Sequence, residues 1–209
     1  MKLYVMQGAC SLASHIALGW AKASFDLEVL SHDAVGEDAF GKLNPKRAVP
    51  ALVLDDGRVI TESLAILNYI ADAFPDARLG AEPDDIAGRA QLNEALSELV
   101  SDVHKAWAPF FAPGRFVMQA TDEPKAKEAA FGQLDLQYAR LDKLMHGRDW
   151  RVLDHRTVAD AYLYVMCRWK GLTPTPLASF PALAAFAERM VADPVVVAAI
   201  QKESGNAAH

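Results

Sequence analysis

The chain has 209 residues, 52% of them hydrophobic, enough to bury a sizeable core as one large or two small domains. Its net charge of −6, with no Lys/Arg cluster interleaved with aromatics, excludes a nucleic-acid surface, and no apolar run approaches the roughly 20 residues of a membrane span. Cys10 and Cys167 are its two cysteines, too few for a disulfide framework, and no secretory h-region opens the chain, so a reducing, cytoplasmic setting is expected.

Lys2 to Met6 reads as a strand, Gln7-Gly8-Ala9 as a tight turn, and Leu12, Ile16, Trp20 and Ala23 recur at helical spacing. Cys10 and Ser11 therefore fall where a strand ends and a helix begins. The free N–H groups and the positive dipole end there stabilise a thiolate, which predicts a lowered Cys10 pKa. A Ser11 hydroxyl at that point can hold the thiolate of a bound thiol. Two plainer readings stand beside this: Ser11 as an N-cap and Cys10 as a small inert residue in a turn.

Phe25 to Leu30 alternates as a half-buried strand, Ser31 to Gly36 reads as a loop, and Glu37 to Leu43 as a short helix stopped by Asn44-Pro45. A strand opens at Val49-Pro50. Asp55-Asp56-Gly57 turns it into the returning strand Arg58 to Ile60, and Thr61-Glu62-Ser63 caps a helix running to Ala73. The resulting order, β-α-β-α-β-β-α, is a thioredoxin-like arrangement over residues 1–75. Residues 76–85 read as a linker.

All that follows, 86–203, is predicted to be helical, so the fold class is α/β plus all-α, with 204–209 a flexible tail. Ile86 to about Phe111 is one long helix with a stripe of Leu92, Leu96, Leu99, Val103, Trp107 and Phe110. Ser97, Ser101, His104 and Ala108 share a second, small and polar face of that helix, suited to lining a cleft. Thr157 to Asp160 is a capping box, which makes Asp160 structural. Cys167 falls in the apolar helix that the box opens and is expected to be buried. His15 is read as structural.

In a thioredoxin-like fold three stretches converge: Cys10/Ser11, Val49-Pro50, whose peptide that fold resemblance expects to be cis, and Glu62-Ser63. The third suits an amino-acid end, with a hydroxyl and free N–H groups for a carboxylate and an acid for an ammonium. The segments GACSLASH (8–15), NPK..VPAL (44–52), TES.AI (61–66), HK.W.P (104–109) and TVADAYL (157–163) occur in order. In these, from residue 1 to about 200, the chain resembles glutathione S-transferases, specifically the bacterial beta class.

That resemblance implies a cytoplasmic homodimer that conjugates glutathione to hydrophobic electrophiles, with a role in detoxification. It implies no cofactor, no metal, no nucleic acid and no membrane. Cys10 is the cysteine that approaches the glutathione sulfur and can form a mixed disulfide with it, Ser11 the adjacent hydroxyl, and His104 the active-site histidine. Val49 and Pro50 pair with the cysteinyl backbone, Glu62 and Ser63 hold the γ-glutamyl end, Ser97 and Ser101 complete the binding face, and Lys105 reaches the neighbouring subunit's glutathione. Phe110, Phe111 and Trp169 are the expected walls of the electrophile pocket. The chain departs from the family at Tyr4-Val5, at Gln7, and in a 31–42 loop without a lysine for the glycine carboxylate, for which His32 or Lys46 is the expected substitute. A monothiol disulfide reductase acting through Cys10 and a non-catalytic binding protein on the same fold are the rival readings.

Overall fold

The computed structural model describes residues 1–205. It consists of a four-stranded sheet with its helices, followed by a helical unit. Strands β1 (Lys2–Met6), β2 (Asp26–Leu30), β3 (Ala51–Val53) and β4 (Val59–Thr61) lie in the order β2-β1-β3-β4. β1 pairs in parallel with β2, Lys2 opposite Asp26 and Met6 opposite Leu30. It pairs antiparallel with β3, Tyr4 opposite Ala51, and β3 and β4 form the hairpin. The parallel pair requires a crossover, and α1 (Leu12–Trp20) supplies it.

α1 is buried along almost its whole length, because it lies between the sheet and two helices of the second unit, α8 (Val158–Lys170) and α10 (Pro194–Gly205). A helix apolar nearly all round, LASHIALGW, is the sequence signature of that position. α8 is the matching central helix of the second unit. Thr157 and Asp160 form its capping box, and the Asp160 carboxylate accepts from the backbone N–H groups of Thr157 and Arg151, both at 2.7 Å. Burial drives the Asp160 pKa up to about 6 against these hydrogen bonds. Cys167 is fully enclosed on the same helix.

Several expectations are corrected. Residues 32–36 form a short helix, α2 (His32–Gly36), because Ser31 Oγ accepts from Ala34 N at 3.1 Å and caps it; α3 (Asp38–Leu43) follows. At the start of α4 (Ser63–Ala73) no side chain caps the helix. Glu62 instead turns the chain there with φ 74°, in the region that non-glycine residues avoid. The stretch 76–85, read as a linker, is held in place. Leu79 is buried and its carbonyl accepts from Val158 N at 2.9 Å, while Asp85 caps α5 (Ile86–Glu98).

The predicted long helix changes character at Leu99–His104, where it widens into a π-helical turn, and it resumes as α6 (Ala108–Phe111). α7 (Glu123–Met145) and α9 (Pro181–Val191) complete the helical unit. Ser204 and Gly205 belong to α10 rather than to a tail, and residues 206–209 lie outside the described residues. His15 pairs with Glu203 at 3.0 Å, both buried, and ties α1 to α10.

Candidate active site

The β1–α1 turn, the Val49-Pro50 segment and the start of α4 meet at one cleft, which the π-helical turn and α8 close from the other side. Val49-Pro50 is cis. Cys10 Sγ lies 3.6 Å from the Val49 carbonyl and 3.7 Å from Ser63 Oγ, so two of the three converging stretches bond directly to the thiol. His104 reaches in from the π-helical turn, and its Nδ1 lies 2.6 Å from the Tyr162 hydroxyl of α8. Tyr162 lines the same cleft as Cys10 and Ser63. The cleft has two lobes that share Cys10, Ala48, Val49, His104, Phe111 and Arg115. One, about 520 Å³, holds Lys46, Glu62, Ser63, Ser101 and Lys105; the other, about 720 Å³, runs under Trp169 toward His32 and Val35.

The predicted residues divide on this geometry. Cys10, Val49, Pro50, Glu62, Ser63, Ser101, His104, Lys105, Phe111 and Trp169 line the cleft. Three do not. Ser11 is fully buried, and its hydroxyl is bonded back to Met6, accepting from the backbone N–H at 3.1 Å. It faces the end of β1, neither capping α1 nor lining the cleft where a bound thiol would lie; the hydroxyl at Cys10 is that of Ser63. Ser97 opens on a separate polar hollow with Glu98 and Arg151, because the extra residue in the π-helical turn displaces the face on which Ser97 and His104 had been aligned. Phe110 points into the helical unit and packs on Trp107, Phe111 and Phe131.

The electrostatics of the thiol reverse the expectation from helix position. Burial raises the Cys10 pKa, and the Ser63 hydroxyl opposes the rise only in part. Cys10 precedes Ser11, itself already helical in φ and ψ, and sits against apolar neighbours, so desolvation outweighs the dipole. Burial lowers the His104 pKa, which favours neutral imidazole near pH 7, and raises that of Tyr162, whose phenol stays protonated. Trp169 packs edge-on against His104 at 4.9 Å between ring centroids, and its indole N–H donates to the Gly8 carbonyl at 2.8 Å, fixing the turn that carries Cys10.

Two cleft residues were missed in the sequence. Tyr162 lies inside the segment TVADAYL with nothing in the sequence to single it out except that a phenol on a buried helix needs a polar partner. Arg115 sits in a short turn after α6 with no motif around it. The substitutes expected for the absent lysine are placed as follows: Lys46 bonds Glu62 in the first lobe, and His32 lines the second.

Residues 8–73 match the glutathione S-transferase N-terminal domain family and residues 103–194 the C-terminal domain family. The chain is 38% identical to glutathione S-transferase GST-4.5 of Xanthomonas campestris pv. campestris, over 99% of this chain and 100% of that one. A sphingomonad glutathione S-transferase solved in complex with glutathione is 39% identical, with a TM-score of 0.88 and coverage of 98% of this chain and 99% of that one. A bacterial beta class glutathione S-transferase of Sphingomonas chungbukensis is 36% identical, with a TM-score of 0.86 over 97% and 98%.

Proposed function

We propose, on the premise that this chain belongs to the glutathione S-transferase family and is a glutathione-conjugating enzyme, how its own residues carry that reaction. Glutathione lies in the first lobe, its ammonium against Glu62, its α-carboxylate at Ser63 and the N-terminus of α4, and its cysteinyl backbone along Val49. Its sulfur then faces Cys10 and His104 at the junction of the lobes, and an apolar electrophile occupies the second lobe against Trp169 and Phe111.

The observation that carries this reading is the contact of Cys10 Sγ with both Val49 O and Ser63 Oγ in a cleft that His104 closes. The Tyr162 phenol keeps its proton and has one O–H to give. With the phenol's lone pairs accepting from His104 Nδ1–H, His104 Nε2 is the free base facing the cleft. Nε2 takes the glutathione thiol proton, the sulfur bonds to the electrophilic carbon, and the leaving group departs with its electron pair.

Residues 1–75 act as the glutathione-binding domain and 86–203 as the helical domain. A second copy of the chain forms the homodimer, with Lys105, exposed at the cleft, directed to the neighbouring site. No described helix is long and apolar enough to cross a membrane, and the proposed setting is the cytoplasm, in a detoxifying role.

The test is intact-protein mass after incubation with oxidised glutathione. The Cys10 thiolate attacks one sulfur of the disulfide and releases one glutathione thiolate, leaving a mixed disulfide. One reductant-reversible adduct, absent in Cys10→Ala, is the expected result. No adduct at any pH up to about 9, above the ordinary thiol pKa, overturns the placement of the glutathione sulfur beside Cys10.

A further inference from the structure

The second lobe has a charge character that its role as an apolar pocket does not require. Among the residues that line it, Arg47 and Arg115 are cationic and none is an aspartate or glutamate. This is unexpected in a chain with 27 acidic residues against 21 Lys and Arg. The cations differ in availability. Arg47 donates to Asp38 Oδ1 at 2.7 Å and to the Gly36 carbonyl, so its guanidinium is engaged. Arg115 makes no ion pair or side-chain hydrogen bond among the described residues. Its backbone is nonetheless held: Arg115 N donates to Ala112 O at 3.1 Å, in a turn that starts at the buried Pro113. Arg115 lines both lobes, as Cys10, His104 and Phe111 do.

We propose that the second lobe selects electrophiles bearing a carboxylate, with Arg115 as the partner of that group. The inference rests on the assignment of this lobe to the electrophile. An aryl or alkenyl body against Trp169 and Phe111 leaves one end at the lobe junction, and a planar guanidinium is the side chain best matched to a carboxylate there. With no acid in the lining, an anionic substrate meets no opposing charge from the wall itself. The same chemistry has a second source, the glycine carboxylate of glutathione, so the experiment must separate the two.

The probes are 4-chloro-3,5-dinitrobenzoate and its methyl ester. In both, the glutathione sulfur bonds to the chlorine-bearing ring carbon, chloride leaves with the bonding pair, and the thiol proton passes to solvent. For each probe, kcat/KM is divided by the uncatalysed rate constant with glutathione, which removes intrinsic reactivity. The native enzyme is expected to favour the acid about tenfold, the effect of one well-placed charged contact. Arg115→Gln brings that preference to within about twofold of unity, Arg115→Lys keeps part of it, and high salt shrinks it for the acid alone.

A native preference near unity, or one unchanged in Arg115→Gln, overturns the proposal. It is equally overturned if Arg115→Gln leaves the acid preference intact and raises KM for glutathione but not for its glycinamide analogue, because the carboxylate is then glutathione's own. Conjugation of neither probe by the native enzyme is a different failure, one of the lobe assignment itself.

Discussion

The Tyr162 hydroxyl lies 2.6 Å from His104 Nδ1, which couples the central helix of the second unit to the imidazole that closes the cleft. In the mechanism proposed above Tyr162 accepts from His104 Nδ1–H and leaves Nε2 as the base, and burial lowers the His104 pKa. A base whose pKa is depressed loses its lone pair only as the pH falls through that lowered value. The acid limb of kcat/KM for the free enzyme is therefore expected below pH 6.5, the ordinary histidine value. Tyr162→Phe removes the hydroxyl and keeps the ring. It is expected to lower kcat/KM about tenfold, the loss of one buried hydrogen bond, and to move the acid limb. A pH profile identical to the native one would remove Tyr162 from any positioning role.

Cys10 gives a second prediction. Its raised pKa means that the thiol is largely protonated at pH 7 in the unliganded enzyme. Alkylation by iodoacetamide is expected to be slow at pH 7, to accelerate as pH rises past the ordinary thiol value, and to be slower still in Ser63→Ala, which removes the hydroxyl that favours the thiolate. Ser11→Ala is expected not to slow it, since that hydroxyl faces Met6. Peptide mapping serves as the control: Cys167 is fully enclosed, and burial raises its thiol as well. Rapid labelling of Cys10 at pH 7 would refute the desolvated thiol.

These two residues also show how much was legible in the sequence. Cys10, Val49 and Glu62-Ser63 each lie just outside a strand terminus or at the start of a helix, and chain order with sheet topology brings such ends together. Ser11 and Ser97 failed for geometric reasons. Adjacent residues at a helix start point in different directions, so neighbouring positions in the sequence did not say whether Ser11 or Ser63 meets the thiol. The alignment of Ser97 with His104 assumed an uninterrupted 3.6-residue period, which the π-helical turn at Leu99–His104 breaks. Tyr162 and Arg115 enter the cleft through tertiary packing alone, which periodicity does not encode.

Asp160 offers a test of the fold by pH. Its folded pKa of about 6 exceeds the unfolded value near 3.8, so the folded state binds this proton more tightly. The resulting contribution to stability is fully present below the unfolded pKa and is lost as pH rises through about 6. Asp160→Asn abolishes the titration and presents an amide donor to one of two backbone N–H groups, which lowers stability at every pH by about 1–3 kcal/mol. The gap in unfolding free energy between native and variant is expected to narrow from pH 5 to pH 7, measured by urea unfolding at each pH. A gap that widens over this range would mean that the carboxylate's hydrogen bonds outweigh its burial.

The His15–Glu203 pair makes the last prediction, one about the joint between the two units. The groups lie 3.0 Å apart, 4% and 3% exposed, with the His15 ring edge-on to Phe25. Glu203 sits in α10, near the C-terminal limit of the described residues, yet it is buried because α10 packs along α1. Removing one member leaves the other enclosed without its partner, at a cost of about 3–5 kcal/mol. For a chain of this size that corresponds to a fall in Tm of roughly 6–20 °C. Glu203→Ala and His15→Ala are each expected to show it, and the double variant is expected to lose less than the sum of the two, because the second substitution removes the stranded group. Strict additivity in that cycle would show that the two residues act independently and that α10 is held on α1 by apolar packing alone.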